Sequence, residues 1–120
     1  MKIFILSNSS WNIYNFRIKL IKELIKNNFE IYILAPRDNY TKYITEHKVK
    51  YIELNIKNSF KYVILDIVYI IKLVFFINFY RPDYIISFTI KPNIYSALLS
   101  KFYRFKLISN ISGIGSSFLN

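Results

Sequence analysis

The feature that most constrains this chain is an alternation: short, unbroken runs of apolar and β-branched residues separated by longer stretches patterned for helix. Ile3-Phe4-Ile5-Leu6 is the first such run, of strand length, and Ser7-Asn8-Ser9-Ser10 ends it as a polar loop cluster. Residues 14–27 then place Phe16, Leu20, Ile21, Leu24 and Ile25 at helical spacing, with Lys19, Lys22, Glu23 and Lys26 on the other side. That is the pattern of a helix covering a sheet. Further strands are predicted at 30–35, where Pro36 ends the run, and at 50–54, 83–88 and 105–109. Helices are predicted at 37–47, 59–80 and 93–104. Arg81-Pro82 closes the longest helix, because proline disfavours helical geometry in the residue before it. The alternation predicts an α/β domain of three layers with a mostly parallel sheet. A complete doubly wound unit commonly has about six strands, so five predict an incomplete one, with strand five uncovered and prone to aggregate.

The stretch 62–80 admits two readings. It is mostly apolar and close to the roughly 20 residues that span a bilayer. Asp66 and Lys72 interrupt it, each costing about 2.5–3.5 kcal/mol at the centre of a span. Lys61, Asp66, Tyr69 and Lys72 share one narrow helical arc, which predicts a helix buried on most sides with a thin solvated stripe. Its place in the alternation favours a packed or membrane-leaning helix over a span.

Composition narrows the chemistry. With 53% hydrophobic and 19% aromatic residues the chain can offset its ordering entropy, so disorder is a poor reading. Cysteine is absent, which removes disulfides, thiolate metal sites and cysteine nucleophiles. His47 is the only histidine and reads as a surface residue, so zinc sites and Ser-His-Asp triads find no support. The net charge of +10 suits nucleic acid, an anionic membrane or phosphorylated ligands, but a biased composition with solubilising lysines gives the same surplus. The start, Met1-Lys2-Ile3-Phe4-Ile5-Leu6, is too short an apolar run for a signal peptide.

In open α/β sheets ligands bind beyond the carboxyl ends of the strands, and three segments there stand out. Ser7 to Arg17 is rich in amides and hydroxyls and carries Arg17 in the first helical turn, yet holds no glycine, unlike dinucleotide or P-loop fingerprints. Phe88-Thr89-Ile90-Lys91-Pro92-Asn93-Ile94-Tyr95 holds Lys91 at the ligand edge, where an ammonium could neutralise phosphate, or simply be solvated. The third, 110–117, contains Gly113 and Gly115, the only glycines in the chain, where a ligand could approach the backbone or a tight turn could form. The tyrosines and phenylalanines show no base-stacking spacing, so nucleic acid is not expected as a partner.

At these loops the sequence resembles the amino-terminal domain of family 4 bacterial glycosyltransferases, in the branch that builds lipid-linked oligosaccharides, capsule and O-antigen. The residues carrying the likeness are Asn8-Ser9-Ser10-Trp11-Asn12-Ile13-Tyr14-Asn15-Phe16-Arg17, Arg81-Pro82-Asp83, the Phe88–Tyr95 segment and Asn110-Ile111-Ser112-Gly113-Ile114-Gly115. They stand in the family's order and cover nearly the whole chain. The resemblance implies a GT-B architecture of two Rossmann-like domains flanking a cleft. Residues 1–120 would be the incomplete, acceptor-side amino-terminal half, with the donor-binding domain absent or on a separate chain. It implies retaining transfer of a hexosyl or N-acetylhexosaminyl group from a nucleotide-sugar, UDP-linked in most such enzymes, with no cofactor and no obligatory metal. The implied acceptor is a lipid-linked or polysaccharide hydroxyl, and the implied location is cytoplasmic, peripheral to the anionic inner membrane surface.

By position, Asn8, Ser10, Asn15 and Arg17 match the family's first cleft loop. Thr89, Lys91 and Asn93 match the loop after strand four, and Gly113 and Gly115 the loop after strand five. Their implied work is to shape the acceptor site and approach the donor diphosphate. Lys91 is the implied electrostatic group for phosphate or leaving-group charge. Two departures stand out: the loop after strand four lacks the histidine of many relatives, and Ser96 stands where relatives of this branch usually have glycine. Transition-state stabilisation in a cleft needs both walls, so negligible activity is expected of this polypeptide alone. The competing readings are a small basic membrane-associated protein without enzymatic activity, anchored by residues 62–80, and a nucleotide-binding module.

Overall fold

Alternate residues of each apolar run face opposite ways, and both sides find a core. A computed structural model describes residues 1–57 and 59–110. Strands β1 (Lys2–Leu6), β2 (Glu30–Ala35), β3 (Val49–Glu53), β4 (Tyr84–Phe88) and β5 (Lys106–Asn110) form one sheet in the order β3-β2-β1-β4-β5. Every pairing is parallel. On one face Phe4, Leu6, Tyr32, Leu34 and Ile85 pack under helices α4 (Val63–Tyr80) and α5 (Ile90–Leu99). On the other, Ile3, Ile5, Ile31, Ile33 and Ile86 pack under α1 (Ser10–Phe16), α2 (Ile18–Lys26) and α3 (Thr41–Thr45). This is the α/β, Rossmann-like layering expected, with strand positions agreeing to within a residue. Strand β5 is an edge, and its Ile108, in register with buried Ile86, is 52% exposed.

The helices differ more from expectation. Helix begins at Ser10, four residues before the expected start, because Ser9 caps it by accepting the Asn12 N–H at 3.1 Å and Ile13 anchors it in the core. Arg17, at φ −124° and ψ 0°, breaks the predicted single helix into two. Helix α3 is one short turn rather than 37–47. Helix α5 begins at Ile90, three residues early. Pro92 falls in its first turn, where backbone N–H groups have no helical partner to lose. Arg81 ends α4 in the left-handed region (φ 51°), its N–H donating to the Ile77 carbonyl at 2.9 Å.

Helix α4 overturns the expected solvated stripe. Asp66 and Tyr69, predicted to face water, are buried with Leu73 and Ile77 against the sheet. The apolar remainder faces outward, with Ile64 77% and Phe79 66% exposed. The helix is a layer of the domain, and it is also long and apolar enough to cross a membrane.

Candidate functional site

Strand order reverses between β1 and β4. The chain leaves β1 toward α1 on one face and leaves β4 toward α5 on the other, which opens a crevice at their carboxyl ends. Two of the segments singled out in the sequence meet there: the Asn8 backbone N–H donates to Thr89 Oγ1 at 3.2 Å. Thr89 adopts φ 72°, a region that costs a β-branched residue about 1–3 kcal/mol. The surrounding contacts hold it there, between β4 and the first turn of α5.

Arg17 reaches the same rim from the α1–α2 break. Its guanidinium carbon lies 4.1 Å above the centre of the Phe88 ring, at the end of β4. The group is half-buried, and desolvation lowers its pKa from the ordinary arginine value. Asn93 ties the rim to β5: Ser87 Oγ donates to its Oδ1 at 2.6 Å, and its Nδ2 donates to the Asn110 carbonyl at 2.8 Å. Ser96 fits between α5 and β4 with its hydroxyl bonded to the Pro92 carbonyl at 2.6 Å.

Three candidates are engaged elsewhere. Lys91 is not held at the ligand edge; it turns beneath α4 and is 5% exposed. Its ammonium bonds both Asp66 oxygens at 3.0 Å and the Ser59 carbonyl at 2.7 Å, and lies over the Phe60 ring. A charge so neutralised and enclosed is a packing element, not a free phosphate ligand. Arg17 and Lys91 therefore start at one rim but point to opposite faces of the sheet. Ser10 is buried, its hydroxyl shared with the Pro36 carbonyl at 2.9 Å, Thr41 Oγ1 at 2.7 Å and the Tyr51 hydroxyl. It locks α1 to the segment after β2. Asn15 is exposed on α1, bonding back to the Trp11 carbonyl at 2.9 Å. Gly113 and Gly115 lie outside the described residues.

Several groups that matter here were not picked out from sequence. Asp66 is the partner of Lys91, and Tyr95 donates to the same carboxylate at 2.8 Å. Burial, then that hydrogen bond and the carboxylate charge, push the Tyr95 phenol up to about 12. Burial raises the Tyr51 phenol as well. Asp38 accepts the Trp11 and Tyr40 backbone N–H groups at 2.9 and 2.8 Å, fixing the approach to α1. The signal for Asp66 was available: a lone carboxylate in an apolar helix needs a cation, and Lys91 is a lone cation in the next one. A depression of about 380 Å³ lies at the opposite end of the sheet, by Phe29, Glu30 and Lys48, and has no part in the rim.

The parallel sheet flanked by helices agrees with the comparison to known families. No curated protein matches the chain. A family profile described as Glycosyl transferase 4-like matches residues 2–120, nearly the whole length. The chain belongs to that glycosyltransferase family, with the rim between β1 and β4 as its candidate functional edge.

Proposed function

We propose that this domain forms the acceptor-side wall of a sugar-transfer cleft in a retaining glycosyltransferase of the cytoplasmic membrane face. The donor would be a nucleotide-sugar, UDP-linked in the first instance, and the acceptor a lipid-linked or polysaccharide hydroxyl. The observation that carries this reading is the Asn8–Thr89 contact at the switch point, with Arg17 beside it on Phe88. The two cleft loops meet there beside a guanidinium, whose planar donors match paired phosphate oxygens. With Lys91 neutralised by Asp66, the electrostatic role assigned to it from sequence passes to Arg17. The nucleotide would be held chiefly by a second, donor-side wall, on the same or another polypeptide. This wall alone should bind acceptor without turnover.

The test is an NMR titration of the chain with a short-prenyl diphosphate-linked sugar and, separately, with a UDP-sugar. The acceptor should shift the amides of Asn8, Arg17, Thr89 and Asn93, and the donor should leave them nearly unchanged. An acceptor that leaves these amides unmoved would sink the proposal. A tight UDP complex on this chain would favour the nucleotide-binding alternative.

A further inference from the structure

We propose that the aromatic surface shared by α1 and α3 binds a neutral carbohydrate chain. The Tyr14 ring of α1 lies 5.5 Å from Tyr40, which precedes α3, and 5.2 Å from Tyr43 within it. Trp11, one turn before Tyr14, packs edge-on with Phe16 at 5.5 Å. Trp11, Tyr14 and Tyr43 are exposed, and Tyr40 is half-buried. Water-facing helices of a sheet layer normally show polar residues. Between the two segments stands one exposed carboxylate, Asp38, whose oxygens accept the Trp11 and Tyr40 backbone N–H groups at 2.9 and 2.8 Å. A carboxylate has about four acceptor positions, so some stay open to a ligand. The arrangement is fixed from beneath, where the Ser10 hydroxyl joins the Pro36 carbonyl at 2.9 Å to Thr41 Oγ1 at 2.7 Å.

The chemistry of that surface identifies the occupant. A pyranose has apolar C–H faces and a rim of hydroxyls. Aromatic rings cover the first, and a fixed carboxylate accepts charge-assisted hydrogen bonds from the second. Charge argues the same way. Residues 8–16 and 36–46, which make the surface, carry Arg37, Asp38, Lys42 and Glu46, two of each sign, in a chain of net charge +10. Arg37 is also paired with Glu53 at 3.6 Å, and the Lys42 ammonium lies over its neighbour's Tyr43 ring. A phosphorylated ligand would find no surplus of cations here and would meet Asp38. A neutral, polyhydroxylated one finds ring surface and an acceptor already held in place, with little ordering left to do on binding.

The surface adjoins the rim. Trp11 follows β1 by five residues and Asp38 follows β2 by three, both at the carboxyl ends of the strands, and Asn8 of the same first segment meets Thr89. A glycan on these rings would extend from the crevice over the β2 side. That it is the acceptor's own sugar chain rests on the transfer reading; the binding does not.

Trp11 is the only tryptophan, so its emission reports on this surface without a label. The intact chain is titrated with cellohexaose, laminarihexaose, maltohexaose, isomaltohexaose and chitohexaose. At least one should shift the emission saturably, and sorbitol matched for hydroxyl concentration should not. Tyr14→Ala and Tyr43→Ala should each weaken that binding about fivefold, the scale of one aromatic contact. Tyr14→Phe keeps the ring and should retain affinity within about twofold. Asp38→Asn should weaken binding about tenfold, through loss of charge-assisted acceptance. Thermal unfolding checks that each variant is folded. No response to any of the five sugars would overturn the proposal. So would unchanged affinity in the alanine and asparagine variants, displacement of the sugar by inorganic phosphate, or an emission shift that follows protein concentration alone and marks contact between copies. No donor enters the assay, and Asn8, Arg17 and Thr89 are left intact, so glycan binding and transfer can fail independently.

Discussion

The carboxylate of Asp66 and the ammonium of Lys91 meet at 3.0 Å, both almost wholly buried between the sheet and a helix whose outer face is apolar. The pair decides which way α4 faces. Its helix carries greasy residues nearly all round, so hydrophobicity alone specifies its rotation weakly. A buried carboxylate that must find a cation specifies it strongly.

Removing one partner should therefore cost far more than removing both. Asp66→Asn or Lys91→Met leaves a buried charge unpaired and is expected to lower stability by about 3–5 kcal/mol. Asp66→Leu combined with Lys91→Met should recover most of that loss. Urea denaturation of the three variants measures the coupling. If Lys91→Met instead leaves the urea midpoint unchanged, the pair does not hold α4 in place.

Tyr95 predicts an alkaline limit to stability. Its phenol has an ordinary value of 10.0 and is raised to about 12 in the fold, so the folded state holds a proton that the unfolded chain gives up sooner. The stabilisation is complete below pH 10 and is lost as pH rises toward 12. Buried Tyr69, also raised, acts in the same sense. Thermal unfolding followed across this interval should fall more steeply for the wild type than for Tyr95→Phe. Parallel slopes would show that the Asp66 contact does not couple to ionisation.

Much of this was legible in the residues. Short unbroken runs such as Ile31-Tyr32-Ile33-Leu34, set between helical patterns and ended by turn residues, read as strands, and all five strands lie within a residue of that reading. The rotation of α4 was not, because polarity was taken as a marker of water. Asp66 is polar but inward, and what makes that affordable is a lysine 25 positions away. The start of α1 was hidden for a related reason. Asn, Ser and Trp read as loop residues, whereas the Ser9 cap and the Asp38 carboxylate satisfy the first N–H groups and let helix begin. Of the rim, Asn8, Arg17, Thr89 and Asn93 were visible as a set. Ser10 and Lys91 share their segments and differ only in what their side chains meet, which local sequence does not encode.

Thr89 should separate backbone strain from rim chemistry. Glycine accepts φ 72° without penalty, so Thr89→Gly trades relieved strain against a lost hydroxyl and a more flexible unfolded chain. Its stability should stay within about 1 kcal/mol of wild type. Thr89→Val keeps the strain but leaves the Asn8 N–H without its hydroxyl acceptor, and should lose about 1 kcal/mol or more. Urea midpoints rank the two. A valine variant as stable as wild type would mean that the Asn8 contact contributes nothing, and one more stable than the glycine variant that φ 72° costs Thr89 little.

Arg17 carries the sharpest functional expectation. Lysine at this position keeps the charge but loses the planar fork that lies over Phe88. Arg17→Lys should cost about 1 kcal/mol of stability or less, the scale of an exposed cation–π contact. In an enzyme with both cleft walls, however, transfer should fall about 10²-fold, the scale of losing one preorganised charge donor. The loss should appear in kcat if the guanidinium meets charge that develops during transfer, and in acceptor KM if it only holds the ground state. Steady-state kinetics beside urea denaturation distinguish these outcomes from simple unfolding. Full activity in Arg17→Lys would remove the guanidinium from the mechanism and leave the rim as a backbone site alone.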